Sequence, residues 1–435
     1  MNFVSRIFDA KIVFQFSMND YDVVVVGAGA AGLIAAGRAA ELGGKVLLLE
    51  KMERAGRKLL ITGKGRCNIT NDAPQSEFYD HIYPNSRFLK HAFATFFSGD
   101  IIRLLEKYGT ETIVERGGRV FPASNSSADV VKALLKWVNA NHVEIRYGHQ
   151  VERMITIAGE VKGLLVNANG KAMNITCRNV ILCTGGCSYP ATGSTGDGYR
   201  MAKKAGHTIE TPRPALVPVE TEGDMAKRLQ GLSLKNVKAI VWVSGKKLKE
   251  EFGEMLFTHF GLTGPIILSL SRFIVDELLK GHKVEVSVDL KPALDEVKLD
   301  NRLLRDLDEN GKRKIDNLFR LWLPSSLIPV FLKELNIDGQ KEGHQLQAKE
   351  RKKILMMMKD LRFRVNGFRP FKEAIITAGG VVTGEINAKT MESKLVKNLY
   401  FAGEVIDLDA DTGGFNLQLA FSTAWLAAQS CMTPH

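Results

Sequence analysis

The chain has 435 residues, 45% of them hydrophobic and 25% charged, and 59 Lys and Arg against 48 Asp and Glu give a formal net charge of +11. That length predicts two or three domains rather than one core, and no run of roughly eighteen apolar residues is present to cross a bilayer, so no membrane partner is expected. The five cysteines, an odd number without paired ligand spacing, argue against a disulfide framework and a metal site and predict thiols in a reducing, cytoplasmic compartment.

Residues 1–20 carry Arg6 and Lys11 among short apolar runs without a small-residue cleavage site. They are expected to be an extension, either an over-long start before Met18 or a disordered arm, and not a signal peptide. From Tyr21 the pattern is β-α-β: a β-branched strand to Val26, turn glycines, a helix over residues 30–42, Gly43-Gly44, and a strand over 45–50. A helix is expected over 128–141 with Ser126 or Ser127 as its cap, and strands over 143–147, 161–167 and 180–183, the last ending in Thr184-Gly185-Gly186. Pro212, Pro214 and Pro218 then mark a linker; alternation over 238–243 and 283–290 predicts a small β domain, and residues 291–353 read as a charged helical insert. Glycine-rich texture returns near Phe371, followed by a strand over 398–402. The expected organisation is an α/β domain in two parts, 21–212 and 371–435. It is interrupted by a β domain over 213–290, the helical insert over 291–353 and a return to the β domain over 354–370.

Gly27-Ala28-Gly29-Ala30-Ala31-Gly32 follows a strand and opens a helix. In that context Gly27 permits the tight turn, Gly29 lets a pyrophosphate approach the backbone, Gly32 lets helix pack on strand, and the helix N-terminus faces the phosphates. Glu50 ends the second strand, 18 residues beyond Gly32, where an acid grips a pair of ribose hydroxyls. At the far end a strand runs into Gly403-Glu404, then Asp407, then Thr412-Gly413-Gly414-Phe415-Asn416, which opens an apolar helix reaching about residue 429. A second helix N-terminus is thus brought to the cofactor. Backbone donors there favour negative charge at the pyrimidine end of a reduced isoalloxazine, and Glu404 or Asp407 would hold the ribityl chain or a phosphate-bridging water. The two motifs together point to FAD. No second fingerprint follows a later strand, so a nicotinamide donor, NAD(P)H, would bind only transiently over the flavin.

The run from Gly56 to Asn68 (GRKLLITGKGRCN), Gly185-Gly186-Cys187-Ser188-Tyr189-Pro190, the loop Gly193 to Gly198, and His259-Phe260-Gly261-Leu262-Thr263-Gly264-Pro265 resemble the bacterial aminoacetone oxidase family of FAD-binding flavoproteins. The resemblance covers residues 21–429. Thr62 and Lys64 depart from it, standing where serine and glycine are expected, and Ala410 stands where a glycine is common. The resemblance implies FAD on a Rossmann-type domain interrupted by a β-barrel-like insert and a helical segment. It also implies two-electron chemistry on one of three substrate classes: small amines, conjugated double bonds of bile-acid derivatives, or uridine reduced to dihydrouridine in large-subunit ribosomal RNA. The positions expected to contact FAD are Gly27, Gly29, Ala30, Ala31, Gly32, Glu50, Lys51, Lys58, Gly63, Gly65, Arg66, Cys67, Asn68, Val151, Thr184, Gly185, Gly186, Gly403, Glu404, Asp407, Gly413, Gly414, Phe415 and Asn416.

Reduction of a conjugated double bond needs a general acid as well as a hydride donor, and two residues are candidates. Cys67 lies between glycines and cations, where Lys64 and Arg66 would lower its pKa, or else it is a small residue packed under the flavin. His259 either faces the flavin across the cleft or is a hydrogen-bonded structural residue. Residues 225–365 hold 27 Lys and Arg against 19 Asp and Glu, which is either a solvated surface or a footprint for a polyanion such as rRNA. The favoured reading is an FAD-dependent reductase of rRNA uridine. The alternatives are an oxidase or reductase of a small amine or conjugated ketone, and a flavin-bearing RNA-binding protein without turnover.

Overall fold

The computed structural model describes residues 20–433, so the expected extension lies, apart from Asp20, outside the described residues. Strand β1 (Tyr21–Val26) is a run of valines buried on both faces, which is what a central parallel strand requires. Helix α1 (Ala30–Glu41) follows it and leads to β2 (Val46–Glu50), which lies parallel to β1. Helix α2 (Ser127–Ala140) packs against α1, where Gly37 admits the indole of Trp137; a Cβ at Gly37 would come within 2.6 Å of that ring. The strands β3 (Glu144–Tyr147), β4 (His149–Ile157), β5 (Glu160–Ala168) and β6 (Lys171–Leu182) complete the order β3-β2-β1-β6-β5-β4.

β6 runs twelve residues, far longer than the 180–183 segment expected, because its two halves have different partners. Residues 171–176 pair antiparallel with β5 in an exposed meander, and residues 177–182 pair parallel with β1 in the core. Only the second half has the apolar run that a buried parallel strand shows in sequence.

The chain leaves this layer along Ile209–Ala215 and returns along Ile376–Val381, and the two segments pair with each other antiparallel. Between them six antiparallel strands close a barrel: β7 (Val219–Thr221), β8 (Ser233–Val243), β9 (Lys246–Phe257), β10 (Gly261–Thr263), β11 (Val284–Asp289) and β12 (Leu361–Phe368), in the order β7-β10-β9-β8-β11-β12. A helix, α3 (Pro265–Leu279), interrupts the barrel strands where the sequence reading expects only β structure; Pro265 at its first turn pre-sets the helical φ.

The helices Glu296–Asn310, Ile315–Phe319, Ile328–Leu335 and Ala348–Lys359 follow, the last continuing past residue 353 almost to β12. They share one apolar cluster with the barrel, in which Phe319, Phe331 and Met358 join Val286, Phe257 and Phe363. Phe257 and Phe363 are therefore core residues, their rings 5.5 Å apart. Finally β13 (Leu399–Phe401) adds to β6 in parallel, and α4 (Phe415–Met432) packs along α1. Among the described residues no helix is long and apolar enough to cross a membrane.

Candidate cofactor and active site

The C-terminal ends of β1, β2, β6 and β13 open on one cleft of about 330 Å³, the usual place for a ligand in a parallel α/β sheet. Its floor is the turn after β1. Gly27 has φ +99°, and a Cβ there would sit 2.7 Å from the Cys183 carbonyl oxygen; a Cβ on Gly32 would sit 1.7 Å from the Gly27 carbonyl oxygen. Gly29 differs: a Cβ there would meet nothing within 4 Å. The first and third fingerprint glycines are thus required by the protein's own packing, whereas Gly29, with Ala30 and Ala31, faces open cleft. Glu50 holds this turn from β2, accepting the Ala28 amide at 2.8 Å and the Met52 amide at 2.9 Å. Burial raises its carboxyl above the usual range against those two bonds.

Lys51 spans from the end of β2 to the loop that follows β6, donating to Thr195 Oγ1 at 2.5 Å and Asp197 Oδ2 at 2.6 Å, while Val151 near the start of β4 also lines the cleft. Lys58 donates to Glu404 Oε2 and Ser188 Oγ, both at 2.6 Å. Glu404 Oε1 in turn accepts the Ser188 hydroxyl and the Thr377 amide, both at 2.8 Å, so Lys58 and Glu404 enter the cleft as an immobilised pair. Gly63, Asn68, Thr184, Gly185 and Gly403 complete this wall.

The opposite end is formed by Gly413, Gly414 and Asn416 at the start of α4. A Cβ on Gly414 would lie 2.3 Å from the Thr70 carbonyl oxygen. Asn416 fixes the preceding turn, its Oδ1 accepting the Ala410 amide at 2.9 Å and its Nδ2 donating to the Ala410 carbonyl at 2.7 Å.

Two features of this cleft fit a dinucleotide carrying negative charge. Both α1 and α4 enter it behind a glycine and with no capping side chain, so their first-turn amides are available to an anion. Asn68 Oδ1 is buried, belongs to a residue lining the cleft and has no hydrogen-bond partner among the described residues, a deficit that a bound polar group would remove.

Several expected contacts lie elsewhere. Gly32 packs beneath the turn, and Gly186 sits behind Thr377 and Glu404. Arg66, beside Gly65, turns away from the cleft: it pairs with Glu115, donates to Asn125 Oδ1 at 2.8 Å and covers the Phe121 ring at 4.1 Å. Phe415 is buried against Phe78 and the imidazole of His81. Of the two carboxylates offered for the ribityl chain, Glu404 lines the cleft and Asp407 does not. Asp407 is buried towards Arg213 and Arg272, and burial raises its carboxyl.

Of the two readings of Cys67, burial favours the small packed residue over the activated acid. Its side chain is fully buried in the main core, and burial pushes the thiol up to about 11, with a hydrogen bond to Thr62 opposing. His259 is exposed, meets Phe260 edge-on at 4.9 Å and does not line the cleft. Cleft residues that sequence reasoning missed include Arg54, His149, Leu216, Ile375 and Asp411. Of these only Asp411 had a local signal, its place one residue before Thr412-Gly413-Gly414.

The sequence matches the family described as HI0933-like protein Rossmann domain over residues 21–430. It is 31% identical over 412 residues to the Ribosomal RNA dihydrouridine synthase of Escherichia coli, covering 95% of this chain and 98% of that protein. It is 30% identical over 408 residues to the 3-dehydro-bile acid delta(4,6)-reductase of Clostridium scindens, covering 93% and 98%. Among solved structures, 3-ketosteroid delta1-dehydrogenase from Sterolibacterium denitrificans shares the fold with a TM-score of 0.50 at 15% identity, over 95% of this chain and 100% of that one. The uncapped helix ends, the three-glycine turn with Glu50 and these matches lead to one assignment: the chain belongs to the HI0933-like Rossmann family and is an FAD-dependent oxidoreductase.

Proposed function

We propose that this protein reduces an activated carbon–carbon double bond, converting uridine to dihydrouridine in large-subunit ribosomal RNA. The observation that carries the reading is the end-to-end similarity to the E. coli Ribosomal RNA dihydrouridine synthase, over a span that takes in the barrel and its helices, where this chain concentrates its basic surplus. FAD, when bound, supplies the two electrons. The chain's residues bind and orient: the N-termini of α1 and α4 meet negative charge, Asn68 offers its unpaired amide oxygen, and Leu216, Ile375 and Ile376 form an apolar wall against water. Lys58, held by Glu404 and Ser188, sets a fixed ion pair in the cleft wall.

A target base must leave its stack to reach such a cleft, and the RNA backbone then needs cations outside it. Lys246 and Lys247, both exposed on the hairpin between β8 and β9, are suited to that role. Reversing both charges is expected to weaken RNA binding with a smaller salt dependence, measured by filter binding. The electron donor in this reading is NAD(P)H, docking transiently.

The similarity to the bile-acid reductase favours a second reading, in which a conjugated ketone takes the place of the base and the barrel is a lid. Mass spectrometry of ribosomal RNA from cells with and without the gene separates the two. The proposal expects a uridine carrying two extra hydrogens to vanish on deletion and return on complementation; unchanged RNA would exclude it.

A further inference from the structure

Beside the cleft, where α4 begins, lies a cluster of titratable groups of which Asp411 also lines the cleft. His81 Nδ1 and Asp411 Oδ2 are 2.9 Å apart although 330 residues separate them in sequence. They meet because the short strands Ile82–Tyr83 and Asp409–Ala410 pair antiparallel. The imidazole stacks on Phe415, the first residue of α4, at 4.3 Å and nearly parallel, which fixes its plane. The two partners face different surroundings. Asp411 lines the cleft and its side chain is only 14% exposed, whereas the His81 side chain is 41% exposed. The pair therefore connects solvent to the cleft at the helix end where a reduced cofactor would carry its negative charge.

We propose that His81 and Asp411 form a proton-exchange pair serving the reduction step, with Asp411 presenting the proton in the cleft and His81 positioning and recharging it from solvent. The proposal rests on the reduction reading above. In that reaction the π bond of the substrate breaks. One carbon gains a hydride equivalent from the reduced cofactor, itself recharged by a nicotinamide or another two-electron donor. The neighbouring carbon gains a proton that passes from the His81 imidazolium through the Asp411 carboxylate, leaving neutral imidazole to be reprotonated by water.

The surroundings favour a charged imidazole. His81 is faced by Asp411 from the turn before α4, by Glu251 from β9 of the barrel and by Asp80 beside it, and the hydrogen bond to Asp411 raises its pKa above the ordinary value against partial burial. Glu251 is itself raised by burial and by Asp411, with Lys249 opposing; Tyr83, next in the cluster, is raised by burial, Asp411 and Glu251, with Arg272 opposing. Negative groups thus outnumber cations around the imidazole, and Asp411 is the one that also touches the cleft.

Two measurements on the FAD-loaded full chain test this. The first is a nitrogen-15 NMR titration of the imidazoles, assigned through His81→Gln. The proposal expects His81 to titrate above the ordinary histidine value and to fall in Asp411→Asn. The second is single-turnover reoxidation of dithionite-reduced protein by cyclohexenone and by an unmodified rRNA fragment, each divided by the rate with ferricyanide, which has no carbon to protonate. His81→Gln and Asp411→Asn are expected to lower that ratio by about a hundredfold, to remove a basic limb from its pH profile, and His81→Gln to be partly rescued by added imidazole.

A ratio unchanged in both variants overturns the proposal. If the wild-type protein reduces neither RNA nor ketone, the reduction reading fails. The pair is then decided by the titration alone, and a His81 that titrates at or below the ordinary value, or ignores Asp411→Asn, overturns it.

Discussion

Gly29 and Gly32 stand three residues apart in one turn, yet the two positions answer to different constraints. A Cβ at Gly32 collides with the Gly27 carbonyl, while one at Gly29 meets only the open cleft. Gly32→Ala is therefore expected to cost about 3 kcal/mol or more in unfolding free energy. Gly29→Ala is expected to leave the melting temperature of the FAD-free protein unchanged and to weaken FAD binding at least tenfold, measured by fluorescence titration. Cys67 gives the converse expectation. Because its thiol is buried and raised rather than activated, Cys67→Ala should retain substrate reduction, and the native thiol should resist alkylation until the protein unfolds. Loss of turnover in a folded, FAD-loaded Cys67→Ala variant would restore it to the reaction. At this scale the sequence is informative where a residue's constraint comes from within its own motif, as at Gly32, whose Cβ would strike the Gly27 carbonyl. It leaves two readings open at Cys67, because Arg66 is adjacent in sequence but turns to Glu115 and Asn125, and it is silent at His81, whose partner is 330 residues away.

Among the elements, α4 carries most of the functional argument. Its start is not capped in the usual way; it is fixed by Asn416 reaching back to Ala410 and by the contact of Gly414 with Thr70. Asn416→Ala leaves the Ala410 amide and carbonyl without those partners and is expected to cost about 1–3 kcal/mol. It should also shift the visible spectrum of bound FAD, a change that loss of stability alone does not produce. The glycines and the apolar run made this helix and its position readable from sequence. The helix α3 was not readable, since its apolar stretch suits a buried strand equally well and only Gly264-Pro265 marks its start. The meander half of β6 is unreadable for the opposite reason, residues 171–174 being exposed on both faces.

At the scale of the whole molecule, the barrel is tied to the cofactor layer by buried charge. Arg272 on α3 donates to Asp409 at 2.7 Å, just ahead of the α4 turn, and to Asp276 at 3.1 Å, while Arg213 pairs with Asp276 from the strand that leaves the layer. Asp409 is almost fully buried, and burial lifts its carboxyl to about 6 even with Arg272 beside it. Arg272→Met should thus destabilise the protein by about 3–5 kcal/mol, and adding Asp409→Asn should recover part of that loss. Both changes are read by chemical denaturation of the FAD-free chain. Interruption of one α/β domain by a barrel and helices was visible as changes of texture along the chain. That the barrel and helices share one core was not, because such contacts join segments with no common local pattern.

The most direct test of the account is anaerobic. FAD-loaded protein reduced with dithionite is mixed with unmodified large-subunit rRNA, and flavin absorbance and dihydrouridine are followed together. The account predicts that the flavin reoxidises and that one uridine gains two hydrogens for each flavin turned over. Flavin that stays reduced with RNA, yet is oxidised at once by a conjugated ketone, would contradict it.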